Sequence, residues 1–203
     1  IQAYLYQKRE WNPKWENAFA PALCNRIDRN TGGIVIAAKN AETLRIINEK
    51  IRAHELEKSY LCIPVGRPKQ PEGKIEGFLL KNEAKKEVRF FHKPVPGGKT
   101  AVTLYRTLES RGGLSLVECR LLTGRTHQIR VSMAEIGCPL LGDGKYGKGD
   151  VNRRYHETRQ ALYSYKLRFD FPTDAGLLNY LKGQEFTVEN VPFREKYFPE
   201  IPS

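Results

Sequence analysis

With 203 residues, 40% of them hydrophobic, the chain has enough apolar material for one medium domain with a true core, which excludes a chain disordered throughout. Its 34 lysines and arginines against 23 acids leave a net charge of +11, which favours nucleic acid, or less often an anionic membrane surface, as the partner. No apolar run approaches the roughly 20 residues needed to span a bilayer, and no secretion signal is visible.

Ile1 to Pro21 is rich in aromatic residues and reads as a helix or turn followed by a loop. Ile34 to Ala38 is a short apolar run that predicts a buried strand. Asn40 is placed as an N-cap with Glu42 in the first turn, and Leu44, Ile47 and Ile51 share one face, which predicts a helix ending near His54. Lys58 to Val65 reads as a strand closed by Gly66-Arg67-Pro68. Short strands follow at Ile75 to Leu80 and Val88 to His92, then a Pro94 to Gly98 loop. Ala101 to Leu108 and Leu114 to Leu121 alternate as a hairpin about Ser110 to Gly113.

Thr126 is positioned to cap a helix that runs through Ile136 and stops at Gly137 and Pro139. Leu140 to Asp150 reads as a glycine-rich loop, Ala161 to Phe171 as a strand, Asp174 to Leu181 as a short helix and Phe186 to Val188 as a last strand. No repeat or linker divides the chain. The expected fold is α+β: a single domain, 1–203, on a mixed, largely antiparallel sheet flanked by helices.

Two clusters carry the chemistry. Asn25-Arg26-Ile27-Asp28-Arg29-Asn30-Thr31-Gly32-Gly33 sets one carboxylate, Asp28, between two arginines ahead of a Thr-Gly-Gly turn. The glycines predict a sharp turn with room for a large ligand. The pattern suits a nucleophile or base in a cationic pocket that receives a large anion. In Gly124-Arg125-Thr126-His127-Gln128-Ile129-Arg130, a helix start and Arg125 favour a phosphate, and Arg130 is available for a carboxylate. Tyr60 is a third candidate, able to stack on a base if it faces Asp28. The four cysteines and four histidines lack zinc-site spacing, and free thiols in a reducing cytoplasm are expected.

In order along the chain, Asn25 to Lys39, Lys58 to Pro68, Leu121 to Gly147 and Gln160 to Pro172 resemble successive motifs of the RluA-type RNA pseudouridine synthases. The family's Gly-Arg-Thr-His-Gln-Ile-Arg is intact at Gly124 to Arg130, and Ile136-Gly137-Cys138-Pro139-Leu140-Leu141-Gly142-Asp143 is nearly so. Its His-Arg-Leu-Asp-x-x-Thr-Ser-Gly stands here with Asn25 for the histidine and Gly32 for the serine, and Ser132 replaces a frequent histidine.

The resemblance implies the pseudouridine synthase fold and a cofactor-free, metal-free isomerase. Such an enzyme breaks the N1–C1′ bond of a uridine flipped from structured ribosomal or transfer RNA, turns the base and rejoins it through C5. Asp28 is expected to act first, as nucleophile at C1′ or as base for a sugar proton. Arg130 is expected to pair with it, and Tyr60 to stack on the uracil. Arg26 would fill the gap left by the nucleotide and Arg29 and Arg125 would hold phosphates, with Thr31, Lys58, His127 and Gln128 as further RNA contacts. A cytoplasmic monomer without a membrane partner is the expectation. The same resemblance implies that Ile1 starts inside the family's domain, short of its first strand and of the S4-type RNA-binding domain found upstream in some relatives. The rival readings are a non-catalytic RNA-binding protein of this fold and, lower, a hydrolase, which generally needs two carboxylates.

Overall fold

The structure, a computed structural model, describes residues 1–15 and 19–199. Its framework is an eight-stranded sheet. In chain order the strands are β2 (Gly32–Gly33), β4 (Leu56–Cys62), β5 (Glu72–Asn82), β6 (Glu87–Phe91), β7 (Lys99–Arg111), β8 (Leu114–Leu121), β9 (Leu162–Phe169) and β10 (Glu185–Thr187). Across the sheet they lie in the order β10-β9-β4-β8-β7-β5-β6. The short β2 adds to β9 in parallel, while the other pairs are antiparallel. A separate two-stranded ribbon joins β1 (Ala22–Leu23) to β3 (Ala37–Ala38).

Strand periodicity sorts side chains to the two faces of the sheet. Tyr60, Cys62, Val117 and Cys119 point to one face, where Ile129 and Met133 of helix α3 (Gln128–Glu135) pack on them. Leu61, Ile63, Leu114 and Leu116 point to the other, covered by Val191 and Phe198 around α5 (Pro192–Tyr197). Helix α2 (Ala41–Arg52) lays Ile46 and Ile47 against Leu56, Leu167 and Phe169 with the 3-10 turn at Gly176–Leu181. The remaining helices are α1 (Gln2–Gln7) and α4 (Gly149–Arg154).

Several expectations hold. Asn40 caps α2 by accepting the Thr43 N–H at 2.8 Å, and β7 and β8 form the hairpin that turns at Gly112 and Gly113, both at positive φ. Others need correction. Thr126 does not cap α3: His127 does, in a left-handed conformation (φ 54°) and with no side-chain capping bond. The other end closes as foreseen, since Gly137 (φ 81°) lets its own N–H reach Ala134 O and the Cys138 N–H reach Met133 O.

Residues 34–36 are not a strand. Ile34 N–H bonds to Ser164 O and Ile36 N–H to the Asn25 side chain, so this segment bridges the sheet and the ribbon. The stretch read as a loop up to Asp150 ends in α4, which begins at Gly149. The Gly32-Gly33 pair also serves another purpose than ligand room. A Cβ on Gly33 would lie 2.1 Å from Ser164 O, and one on Gly32 would lie 2.6 Å from the Tyr163 ring. The glycines are what let β2 lie against β9.

Candidate active site

Asp28 lies in the loop between β1 and β2, and this loop is tied at several points. Asn25 Oδ1 accepts the Ile36 N–H at 2.8 Å, and Thr31 N–H closes a turn onto Asp28 O at 3.0 Å. From the start of β9, buried Gln160 donates to Arg29 O at 2.6 Å and to Thr31 Oγ1 at 3.2 Å. With β2 zipped to β9, the carboxylate stands on a fixed base rather than on a free loop. That arrangement pre-organises it.

Behind it sits Arg130, 6% exposed on α3. Its Nε donates to Asp143 Oδ2 at 2.7 Å and its Nη2 to Asp143 Oδ1 at 2.9 Å, a bidentate pair. The remaining nitrogen, Nη1, reaches Asp28 Oδ2 at 3.4 Å. Asp143 is wholly buried and also accepts the backbone N–H groups of Lys145 and Tyr146. The expected Arg130–Asp28 contact is therefore present, but it is the longer arm of a three-member chain whose strong link is Asp143.

The other Asp28 oxygen has no protein hydrogen bond among the described residues, and the side chain is 17% exposed. Burial opposes charge on both Asp143 and Arg130. Their mutual bonds and attraction outweigh it, lowering the Asp143 pKa and raising that of Arg130.

Tyr146 closes the group. Its ring lies 5.2 Å from the Arg130 guanidinium, and its hydroxyl accepts the Val88 N–H at 2.8 Å and shares a 2.8 Å bond with His127 Nδ1. Burial lowers the His127 pKa, opposed by the Asp28 charge, so the ring favours its neutral form. The left-handed backbone of His127 is a local strain of the kind found at functional sites.

Asp28 and His127 border a cavity of about 730 Å³ between the Asp28 loop, the end of α2, β4 and the loop from β8 to α3. Asp28, Tyr60, Arg26, Lys58, Arg125, His127 and the edges of Thr31 and Gln128 all line it, so the two sequence clusters and Tyr60 meet. Arg52 and Arg120 add positive charge, Arg120 being paired with Glu57 at 3.1 Å. Burial raises the Tyr60 pKa, the Ser164 hydrogen bond opposes this and the Asp28 charge reinforces it, so the ring is a neutral phenol at neutral pH.

Three expected RNA contacts are placed differently from the rest. Arg29 is exposed but does not line the cavity. Thr31 and Gln128 are turned inward. Gln128 Oε1 accepts from Thr123 Oγ1 and Arg125 N, and its Nε2 donates to Val102 O and Thr103 Oγ1, which uses its full capacity. Both residues hold loops in place with side chains already engaged by the protein.

Asp143, Tyr146 and Gln160 were not singled out in the sequence. An acid closing the apolar Leu140-Leu141-Gly142 run was the one available signal for Asp143. Acids also border the cavity besides Asp28, namely Glu57 and Asp170. No cluster of three or more His, Cys, Asp or Glu suited to a metal occurs among the described residues, nor any helix long and apolar enough to cross a membrane.

Comparison with known proteins gives a consistent result. Residues 2–135 match the family model described as RNA pseudouridylate synthase. The chain is 35% identical over 155 residues to ribosomal large subunit pseudouridine synthase D of Borreliella burgdorferi, covering 76% of this chain and 46% of that protein. It is 33% identical over 161 residues to ribosomal large subunit pseudouridine synthase C of Haemophilus influenzae, covering 78% and 50%. The chain thus spans about half the length of these curated relatives. Among solved structures, human RNA pseudouridylate synthase domain containing 4 superposes with a TM-score of 0.74 at 20% identity, over 95% of this chain and 78% of that one, a likeness of fold.

Proposed function

This chain belongs to the RNA pseudouridylate synthase family, and we propose on that basis that it isomerises uridines in structured RNA to pseudouridine. The observation that carries the reading is the Asp28 carboxylate. It faces a cationic cavity with one oxygen unbonded among the described residues, while the other is held by a guanidinium locked on Asp143.

In the proposed reaction a uridine leaves its stack and enters the cavity, and Arg26 at the exposed rim takes its place. Asp28 attacks C1′ or removes a sugar proton, the N1–C1′ bond opens, the uracil turns, and C5 bonds to C1′ as Asp28 is released or returns the proton; C5 then loses its proton and N1 gains one. Tyr60, a neutral phenol, supports the base by stacking. Arg130 orients Asp28 and keeps its position as charge moves. Arg125 and Arg29 contact phosphates.

Ribosomal RNA is the favoured substrate because the relatives named above carry that description, with transfer RNA second. All four cysteines are free, which fits action in the reducing cytoplasm, as a monomer.

The test is product analysis. A large-subunit ribosomal RNA transcript is incubated with the protein, digested to nucleosides and separated. Pseudouridine without free uracil is the expected outcome. Free uracil would make the protein a glycosidase, consistent with more than one acid at the cavity, and unchanged uridine would leave an RNA-binding protein.

A further inference from the structure

Of the lysines and arginines lining the cavity, Arg26, Arg52, Arg120 and Arg125 are exposed to solvent, and Arg120 is neutralised by Glu57. Lys58 alone is half-buried. It has no ion pair or hydrogen bond to its ammonium group among the described residues. It projects from β4 two residues before Tyr60, and both side chains border the same space as Asp28. Neighbouring Glu57 is committed to Arg120 and takes no part in balancing it.

A partly dehydrated cation without a counter-ion is costly unless an anion arrives during the working cycle. Isomerisation supplies one. When the N1–C1′ bond breaks, its electron pair stays on the uracil and spreads over N1, O2 and O4, while C1′ is satisfied by Asp28 or by loss of the sugar proton. After the base turns, C5 donates electrons to C1′, as Asp28 leaves that carbon on the first route or returns the sugar proton on the second. The C5 proton then departs and N1 gains a proton, so the charge is transient.

We infer that Lys58 is a catalytic residue whose ammonium group donates a hydrogen bond to a carbonyl oxygen of the departing uracil anion, stabilising it between bond cleavage and reattachment. The inference deepens the function proposed above and rests on it. Lys58 is poised for this because its charge is available where it is least hydrated, and a cation held in place before the charge develops acts without reorganisation. Burial also lowers the Lys58 pKa, in keeping with a weakly hydrated ammonium group. A phosphate-binding lysine would be expected at the exposed rim with Arg26 and Arg125.

The test compares wild type, Lys58→Met and Lys58→Arg in single-turnover reactions on a ribosomal RNA transcript labelled with 5-tritiated uridine. Met keeps the apolar stem and removes only the charge, and thermal unfolding shows whether each variant is folded. Lys58→Met is expected to slow tritium release about 100-fold with RNA affinity within about threefold, and Lys58→Arg to restore most of the rate.

The decisive arm uses the same transcript made with 5-fluorouridine, read as loss of that nucleoside. Fluorine stabilises the uracil anion by itself, so the Lys58→Met deficit should shrink at least several-fold. An equal deficit on both transcripts, a loss confined to RNA affinity, or an active Lys58→Met enzyme overturns the inference while leaving the isomerase reading intact. A wild type that releases no tritium overturns both.

Discussion

Replacing Asp143 by Asn is a sharp probe of the buried chain behind Asp28. One Asp143 oxygen accepts only Arg130 Nε, while the other accepts Arg130 Nη2 and the N–H groups of Lys145 and Tyr146. An asparagine satisfies the three-donor side with its oxygen and is forced to turn its NH₂ group towards Arg130 Nε, donor against donor. The guanidinium, with its side chain 7% exposed, then keeps the Nη2 bond to the amide oxygen and the 3.4 Å contact to Asp28, but loses its Nε acceptor and its buried counter-charge. Breaking one side of a buried pair costs about 3–5 kcal/mol. For a domain of this size that amounts to roughly 6–20 °C in Tm.

Arg130 is also expected to shift towards Asp28 and displace the carboxylate, lowering the rate about 100-fold. Circular dichroism melting at pH 7 and tritium release read the two effects. The pH dependence has a definite sign. The Asp143 pKa is lowered in the fold, so its contribution is complete above the unfolded carboxylate value near 3.9 and is lost as pH falls through the lower folded value. The gap between wild type and Asp143→Asn should therefore close only in acid below about pH 4. A variant melting within about 2 °C of wild type at pH 7 would refute the claim that Asp143 anchors Arg130.

Gly33→Ala should fold poorly or lose activity. Its Cβ would meet Ser164 O at 2.1 Å in a φ +110° backbone, and a penalty of at least about 2 kcal/mol in urea unfolding is expected. Stability equal to wild type would show that the Asp28 loop does not depend on the β2–β9 pairing. His127 should titrate by NMR below the free-histidine value near 6.5, because burial disfavours its charge. Asp28→Asn should move the midpoint further down, since the Asp28 charge raises it; a midpoint that stays in place would show that the two groups are not electrostatically coupled.

Local signals made part of this legible. The cap at Asn40 and the apolar spacing of Leu44, Ile47 and Ile51 fix α2, and alternation fixes the β7–β8 hairpin, because those patterns act within a few residues. The start of α3 was misplaced because tertiary bonds override propensity there. Gln128 turns back to hold Thr123 and Arg125, leaving His127 as the left-handed junction. Helices α4 and α5, six residues each and without side-chain caps, carry little periodicity, and α4 is held instead by Asn152 bonding Gly142 N and Asp143 O.

At the site, the meeting of Asp28, Tyr60 and the Gly124 to Arg130 segment followed the ordered motifs. The grip on Arg130 did not, because Asp143 lies on a different segment and its pairing is decided by packing rather than by spacing. The glycine pair was misread for a similar reason, since what crowds it is strand β9, about 130 residues away by the Gly33 to Ser164 numbering.

The central claim is that the Asp28 carboxylate performs the chemistry and that the surrounding arginines bind and orient. Asp28→Asn retains shape and removes only the charge, and its lost contact is a 3.4 Å bond at a partly exposed side chain, so the variant should stay folded. Tritium release from a ribosomal RNA transcript containing 5-tritiated uridine, measured beside RNA affinity, is the most direct test. The account predicts no detectable release with affinity within a few-fold of wild type. Release at the wild-type rate from a folded Asp28→Asn protein would contradict it.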